Sequence, residues 1–385
     1  MLGLPAGWYL DPARSALEFP QVFACGWQFV CHVSDLPAAG TAARFDCAGR
    51  SAIVLRTGSG ELRAFRNVCR HRGARLIDGD RATGLAFCVD ARLRCPYHGW
   101  TYDDSGALVA IPESQRHATL DRSAQGLHPL PVQQWHGLVF VAFGPPARPL
   151  QEALGQVAQD WPDLAALRRL AEPASVACAA DWKLACEHLL DAQHRSVARP
   201  GLKPGVYAAP EFDRPGEDAI GGSAALANED QGCWSARVYR GLAAAPTRAA
   251  ARAELVFLWP STLLQLVPEG LVVRQVLPGA TGRCSLRESR YGVTDASRET
   301  RLLRYLHERV RRHALAMDLR LLERTQHGLA NLEPDAAGPV ADNEPALRWF
   351  IRRAQRACGD AGQETKPAAP RRTLRRRTVV PAATS

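Results

Sequence analysis

No run of eighteen apolar residues occurs in the 385-residue chain, so no segment of it reads as a membrane-spanning helix. Its first ten residues, MLGLPAGWYL, lack the basic start and the long apolar stretch of a secretory signal, and the expected compartment is the cytoplasm. There the eleven cysteines, an odd number scattered from Cys25 to Cys358, stay reduced unless they hold a metal, which sets a disulfide framework aside. Acidic residues are missing from the last twenty positions, KPAAPRRTLRRRTVVPAATS, which carry six of the nine net positive charges. The body is therefore only mildly basic. Residues 361–385 read as a basic disordered tail, with a docking arm for an acidic protein or nucleic acid as the other reading. No motif accompanies those arginines, so neither nucleic acid nor a membrane is expected as a partner. No internal repeat is visible. With 46% hydrophobic and 23% charged residues the composition is that of a folded globular chain, and its length allows two domains.

What is present is a change of pattern along the chain. The stretch SAIVLRTGSGELRAFRNV, residues 51–68, reads as two strands joined at a Gly-Ser-Gly turn, and GLVFVAF, residues 137–143, reads as a buried strand. Residues 36–146 thus form a β-rich module. Helical patterns follow at 148–171 and 181–195, the second opening on Asp181 as an N-cap and stopping before Pro200. A second β block covers 253–293, with the mixed runs of an antiparallel sheet covered on one face. Leu302, Leu303, Leu306, Val310, Leu315, Leu319 and Leu322 recur at threes and fours, which predicts a long amphipathic helix over 296–327. A further helix is expected at 343–358, and 215–250 reads as irregular loops. The class is α+β with a β-rich insertion.

Two short motifs carry metal chemistry. CRH places Cys69 with His71, and CPYH places Cys95 with His98, with 23 residues between the pairs. Two thiolates and two imidazoles suit a tetrahedral zinc site. They suit equally a Rieske [2Fe-2S] centre, with Cys69 and Cys95 on one iron and His71 and His98 on the other. Ligand identity alone does not separate these.

The flanking residues do. NVCRHRGARL and LRCPYHGWTYDDSGAL resemble the two cluster-binding loops of Rieske non-heme iron oxygenase large (alpha) subunits, and the resemblance runs from GWYLDPARSALEFPQVFACGWQFV to MDLRLLERTQHGL. The loop GDRATGLAFCVDARL is longer than is usual in the family, and Cys88 within it reads as a loop thiol. The resemblance implies a Rieske β domain (36–146) inserted in a helix-grip catalytic domain (1–35 and 147–360). It also implies a mononuclear iron held by two histidines and a carboxylate.

Here DWKLACEHLLDAQHRSVARPGL departs from the family. Glu187, His188, Asp191 and His194 fall on motif positions, and Asp318 on the carboxylate ligand's position, but Arg199 stands where the second histidine belongs. A guanidinium offers only donors and cannot bind a metal. Three readings follow. His188 substitutes, giving His188, His194 and Asp318, although the two histidines sit about 120° apart on an ideal helix. Alternatively, iron is absent and Arg199 pairs with Asp318 or Asp191, leaving a catalytically silent subunit beside an active relative. Thirdly, iron is held weakly by two protein ligands and water. Trp182 reads as a core aromatic, Glu187 either as part of the site or as a solvated helix residue, and His307, His313 and His327 as surface or cap residues. The implied role is the terminal oxygenase of an NAD(P)H-dependent system, hydroxylating or demethylating a small organic substrate with dioxygen. Electrons would come from a ferredoxin or flavin reductase, and Asp191 would link the cluster of one subunit to the iron of the next in a homotrimer or hetero-oligomer.

Overall fold

The computed structural model describes residues 1–78, 85–88, 91–155, 157–191, 202, 205–227, 232–244, 252–294 and 296–359. Its largest element is an eight-stranded antiparallel sheet. In space the order runs Arg168–Arg169, Cys284–Gly292, Gly270–Pro278, Thr262–Val267, Arg252–Leu258, Ala219–Ala225 and Glu211–Pro215, with Ala174–Cys178 also paired on Cys284–Gly292. Alternation in the register puts Arg274, Val276, Leu286, Glu288 and Arg290 on one face. That face lies under a 32-residue helix, Arg298–Leu329, whose N-cap Ser297 accepts from the backbone of Thr300. Leu303, Leu306, Val310 and Leu322 of its apolar stripe are buried, while Leu302 is exposed.

A β module precedes this domain. One five-stranded sheet takes the order Leu85–Phe87, Thr41–Cys47, Arg50–Arg56, Leu62–Arg66 and Pro129–Leu130. A small three-stranded sheet, Leu93–Arg94, Thr101–Tyr102 and Leu108–Ala110, stands beside it. The extreme N-terminus returns to the later domain: Gly3, Ala6 and Gly7 donate their backbone N–H groups to Gly338, Ala336 and Pro334. Among the described residues no helix is long and apolar enough to cross a membrane.

Three expected elements differ. The helix expected over 148–171 is only Leu150–Gly155; the chain then turns through Trp161 and Pro162 so that Arg168–Arg169 can pair with the sheet edge. The loops expected over 215–250 contain the strand Ala219–Ala225 and the helix Trp234–Ala243. AIGGSAA has no β-branched alternation to betray a strand, yet its glycines are what the pairing needs: a Cβ on Gly222 would lie 2.3 Å from the Glu211 carbonyl oxygen. The helix expected over 181–195 is Trp182–Leu190, capped at its start by the Asp181 side chain on the Lys183 N–H and ended by Asp191 in extended geometry.

The short helix Trp182–Leu190 is pinned from two sides. Lys183, fully buried, is ion-paired with Glu18 and with Asp181 at 2.8 Å, and the Trp182 indole donates to Glu18 at 2.6 Å. Trp182 is thus a core aromatic with its polar handle satisfied. On the other side Gln326 of the long helix accepts the Asp181 backbone N–H at 2.8 Å. Two turns further along each helix, in opposite directions, stand His188 and Asp318. Seven residues on one helix and eight on the other are both about two turns, roughly 10–12 Å. The Gln326 tie therefore sets the register that brings those two side chains together.

Candidate active site

The two Cys/His loops share one backbone design. Cys69 donates its N–H to the Ala74 carbonyl and accepts from the Gly73 N–H; Cys95 donates to Trp100 and accepts from Gly99. Gly73 and Gly99, at φ of 75° and 70°, occupy the left-handed turn position where a side chain would be strained. Both cysteines are buried, with their thiols near one another and the Cys69 thiol pushed up by burial, while His98 is exposed. The rings of His71 and His98 are 4.7 Å apart, and His71 lies flat on Trp100 at 4.8 Å. Tyr102 Oη bonds Cys69 Sγ at 3.3 Å and accepts the Arg70 N–H at 3.0 Å.

The donor set fits a [2Fe-2S] centre. A thiol pair lies inward, an imidazole pair lies outward, and the buried Nδ1 of His71 has no hydrogen-bond partner among the described residues. Cys88 stands apart: it is buried after the strand Leu85–Phe87, with its backbone tied to Gly40.

Between the large sheet and the long helix lies a cavity of about 920 Å³. His188 and Asp318 both line it, with Nε2 of His188 3.3 Å from Oδ1 of Asp318 and both side chains largely buried. Most of the remaining wall is aliphatic, including Val176, Leu189, Leu255, Leu263 and Val276. An imidazole and an acceptor-only carboxylate meeting at the wall of such a cavity fit two positions of a facial triad. His194 and Arg199 lie outside the described residues. The 120° objection to pairing His188 with His194 rested on one continuous helix, and the helix ends at Leu190.

Glu187 is partly buried and does not line the cavity. It accepts from the Tyr9 hydroxyl at 2.7 Å, and burial pushes its carboxyl up to about 7 against the lowering by Tyr9 and Lys183. Since this folded pKa exceeds the ordinary value of 4.5, the folded chain holds the proton longer. The stability this contributes is complete at low pH and is lost as pH rises to about 7. Glu187→Gln is therefore expected to match the parent within about 1 kcal/mol at pH 5 and to exceed it by about 2–3 kcal/mol at pH 8 in chemical unfolding. Equal destabilisation at both pH values would show instead that Tyr9 needs the ionised carboxylate.

His307 corrects an expectation. It is buried rather than on the surface, bonding Glu269 through Nδ1 at 2.6 Å, and Glu269 also accepts from Tyr239 at 2.7 Å. Burial opposes ionisation of Glu269, but these donors outweigh it and hold the carboxyl below its ordinary range. His313 and His327 are exposed, as expected. Sequence reasoning missed the polar part of the cavity wall, built from Arg274, Glu288, Arg290, Glu308 and Arg311. The available signal was charge at positions 288 and 290, which alternation assigns to the covered face of the sheet.

Among known families, residues 26–131 match the Rieske [2Fe-2S] domain and residues 164–360 match the ring hydroxylating alpha subunit (catalytic domain). The chain is 33% identical over 219 residues to the glycine betaine monooxygenase oxygenase subunit of Chromohalobacter salexigens, covering 55% of this chain and 46% of that one. It is 30% identical over 207 residues to the carnitine monooxygenase oxygenase subunit of Escherichia coli K12, covering 53% and 54%. The matched stretch thus spans about half the length of these curated relatives. In fold it is similar to a quaternary ammonium Rieske monooxygenase described for carnitine oxidation and inter-subunit electron transfer, with a TM-score of 0.75, 19% identity, and 93% and 94% of the two chains covered. Naphthalene 1,2-dioxygenase from Rhodococcus with indole bound gives 0.72, 19%, 94% and 95%. None of these relatives supports the catalytically silent reading. With the Cys/His loops inside the first match and more than half the chain inside the second, the chain belongs to the Rieske ring-hydroxylating oxygenase alpha subunits, a Rieske domain joined to a helix-grip catalytic domain.

Proposed function

We propose that the chain is the terminal oxygenase component of a multicomponent system, hydroxylating or demethylating a small organic substrate with electrons from a ferredoxin or flavin reductase. Cys69, His71, Cys95 and His98 would hold the Rieske cluster, and His188, His194 and Asp318 the mononuclear iron. Bound there, the cluster supplies one-electron transfer and the iron supplies dioxygen activation. The observation that carries this reading is the His188–Asp318 pair, 3.3 Å apart in the mostly aliphatic wall of the cavity.

The chain's own residues do the rest. Asp318 brings negative charge and free lone pairs to the cavity, and His188 brings an imidazole to the position where the resembled family has asparagine. The aliphatic wall excludes water and receives the substrate's apolar body. Tyr9 holds Glu187 and Gln326 holds Asp181, so both ends of the short helix are fixed before substrate arrives. Asp191, at the point where that helix ends, is the proposed acidic bridge to a neighbouring subunit's cluster, which requires a homotrimer or a hetero-oligomer with a related subunit.

Iron analysis of anaerobically purified protein, paired with electron paramagnetic resonance after dithionite reduction, tests the reading. The expected result is a Rieske signal with about three irons per chain, two in the cluster and one mononuclear. A Rieske signal with only about two irons would overturn the assignment of His188.

A further inference from the structure

The polar part of the cavity wall carries more positive than negative charge. Arg274 and Glu288 face each other across adjacent strands and are paired at 3.1 Å, and Arg290 meets Glu308 at 2.8 Å. Arg311, with only 13% of its side chain exposed, pairs with Glu288 and lies 2.9 Å from Glu308. Three guanidiniums thus face two carboxylates in a mostly buried cluster. The remaining charged groups of the wall, Arg287, Arg312, Glu172 and Asp318, are two of each sign and leave that excess in place. Arg312 is exposed and paired with Glu308, Arg287 directs its donors to Gln275 and the Phe29 and Val30 carbonyls, and Glu172 is exposed. In addition, the buried Nε of Arg311 has no hydrogen-bond partner among the described residues, and neither has the buried Oε2 of Glu308, which meets Arg290 and Arg311 as an ion pair only. Burial pulls the Arg311 guanidinium down to about 10, against the raising effect of Glu288 and Glu308, and it stays charged at neutral pH.

Position on the helix converts this into a ruler. Arg311 and Asp318 are seven residues apart on one helix, so they share a face and are separated by about 10 Å along the axis. Aliphatic side chains fill most of the wall between them. Among the described lining residues there is no aromatic cage, the arrangement that recognises a quaternary ammonium group: Tyr207 is the one Phe, Tyr or Trp there, and its hydroxyl is bonded to Tyr239.

We propose that the cavity selects a monocarboxylate with an apolar body, its carboxylate bound by Arg311 and its far end presented to the His188–Asp318 pair. A single negative charge balances the three guanidiniums against Glu288 and Glu308, and the unused Nε–H of Arg311 can donate to one carboxylate oxygen while its Nη2 stays on the two glutamates. The proposal rests on the reading of this cavity as the oxygenase's substrate site, but its test is binding, which needs no turnover.

The purified full chain is titrated calorimetrically with 4-phenylbutyrate, with the isosteric primary amide 4-phenylbutyramide, and with choline. The acid is expected to bind at least roughly tenfold tighter than the amide, and choline not to compete. Arg311→Gln is expected to weaken the acid by roughly ten- to a hundredfold while leaving the amide unchanged, with Arg311→Lys in between. Equal affinity for acid and amide, or tighter binding of choline, overturns the proposal, as does undiminished preference for the acid in Arg311→Gln. If that variant does not fold, the acid–amide comparison on the unmodified protein decides. Selective acid binding by a protein that oxidises nothing would uphold this inference while removing the oxygenase reading.

Discussion

Replacing Asp318 by alanine is expected to lower the iron content from about three to about two per chain, abolish substrate oxidation, and leave the reduced cluster's paramagnetic signal unchanged. The effect is large because Asp318 is the carboxylate that reaches His188 in the cavity wall. Removing it takes away a ligand of the proposed triad and the negative charge that compensates the metal. The fold should persist: the largely buried pair with His188 is lost at some cost in stability, but the side chain is small and lies on the long helix, where alanine is the best helix former. Retention of the third iron would move the metal site elsewhere, and loss of the cluster signal as well would mean that the variant is structurally damaged.

The second large effect is expected from Cys95→Ser. Its thiol is buried beside that of Cys69, and the loop around it closes through the Cys95–Trp100 and Gly99–Cys95 backbone bonds. A serine hydroxyl at this position is a poor match for iron where a thiolate is required. The cluster and its visible absorption should disappear, leaving about one iron per chain and no turnover. Because metal binding adds to folding free energy, the melting temperature of the β module should fall as well. Cys88→Ser, at a buried thiol outside both loops, is the matched control and should keep the cluster. A Cys95→Ser protein with an undiminished Rieske signal would refute the ligand assignment.

The legible part of this protein was what short-range rules govern. Cys69 with His71 and Cys95 with His98 were readable as motifs because donors two or three residues apart already sit within reach of one metal centre. Asp181 as an N-cap, the strands either side of the Gly-Ser-Gly turn and the stripe of the long helix were readable for the same kind of reason, since capping and periodicity act over a few residues. The strand AIGGSAA was hidden because its small residues serve close backbone approach, a demand set by the neighbouring strand. The early end of the site helix was hidden too, because apolar residues continue to Leu190 and the break comes in the geometry of Asp191.

The amino-acid sequence by itself determined the family, the two Cys/His motifs and the presence of Asp318 on a long helix. Only the tertiary structure decided that His188 meets Asp318, since those residues lie on separate helices and are brought together by a register fixed through Gln326. It also decided that Arg274, Glu288, Arg290 and Arg311 share one cavity wall, and that His307 is buried against Glu269. Each of these depends on the packing of a sheet against a helix, where alternation and helical period say which face a side chain takes but not what stands opposite it.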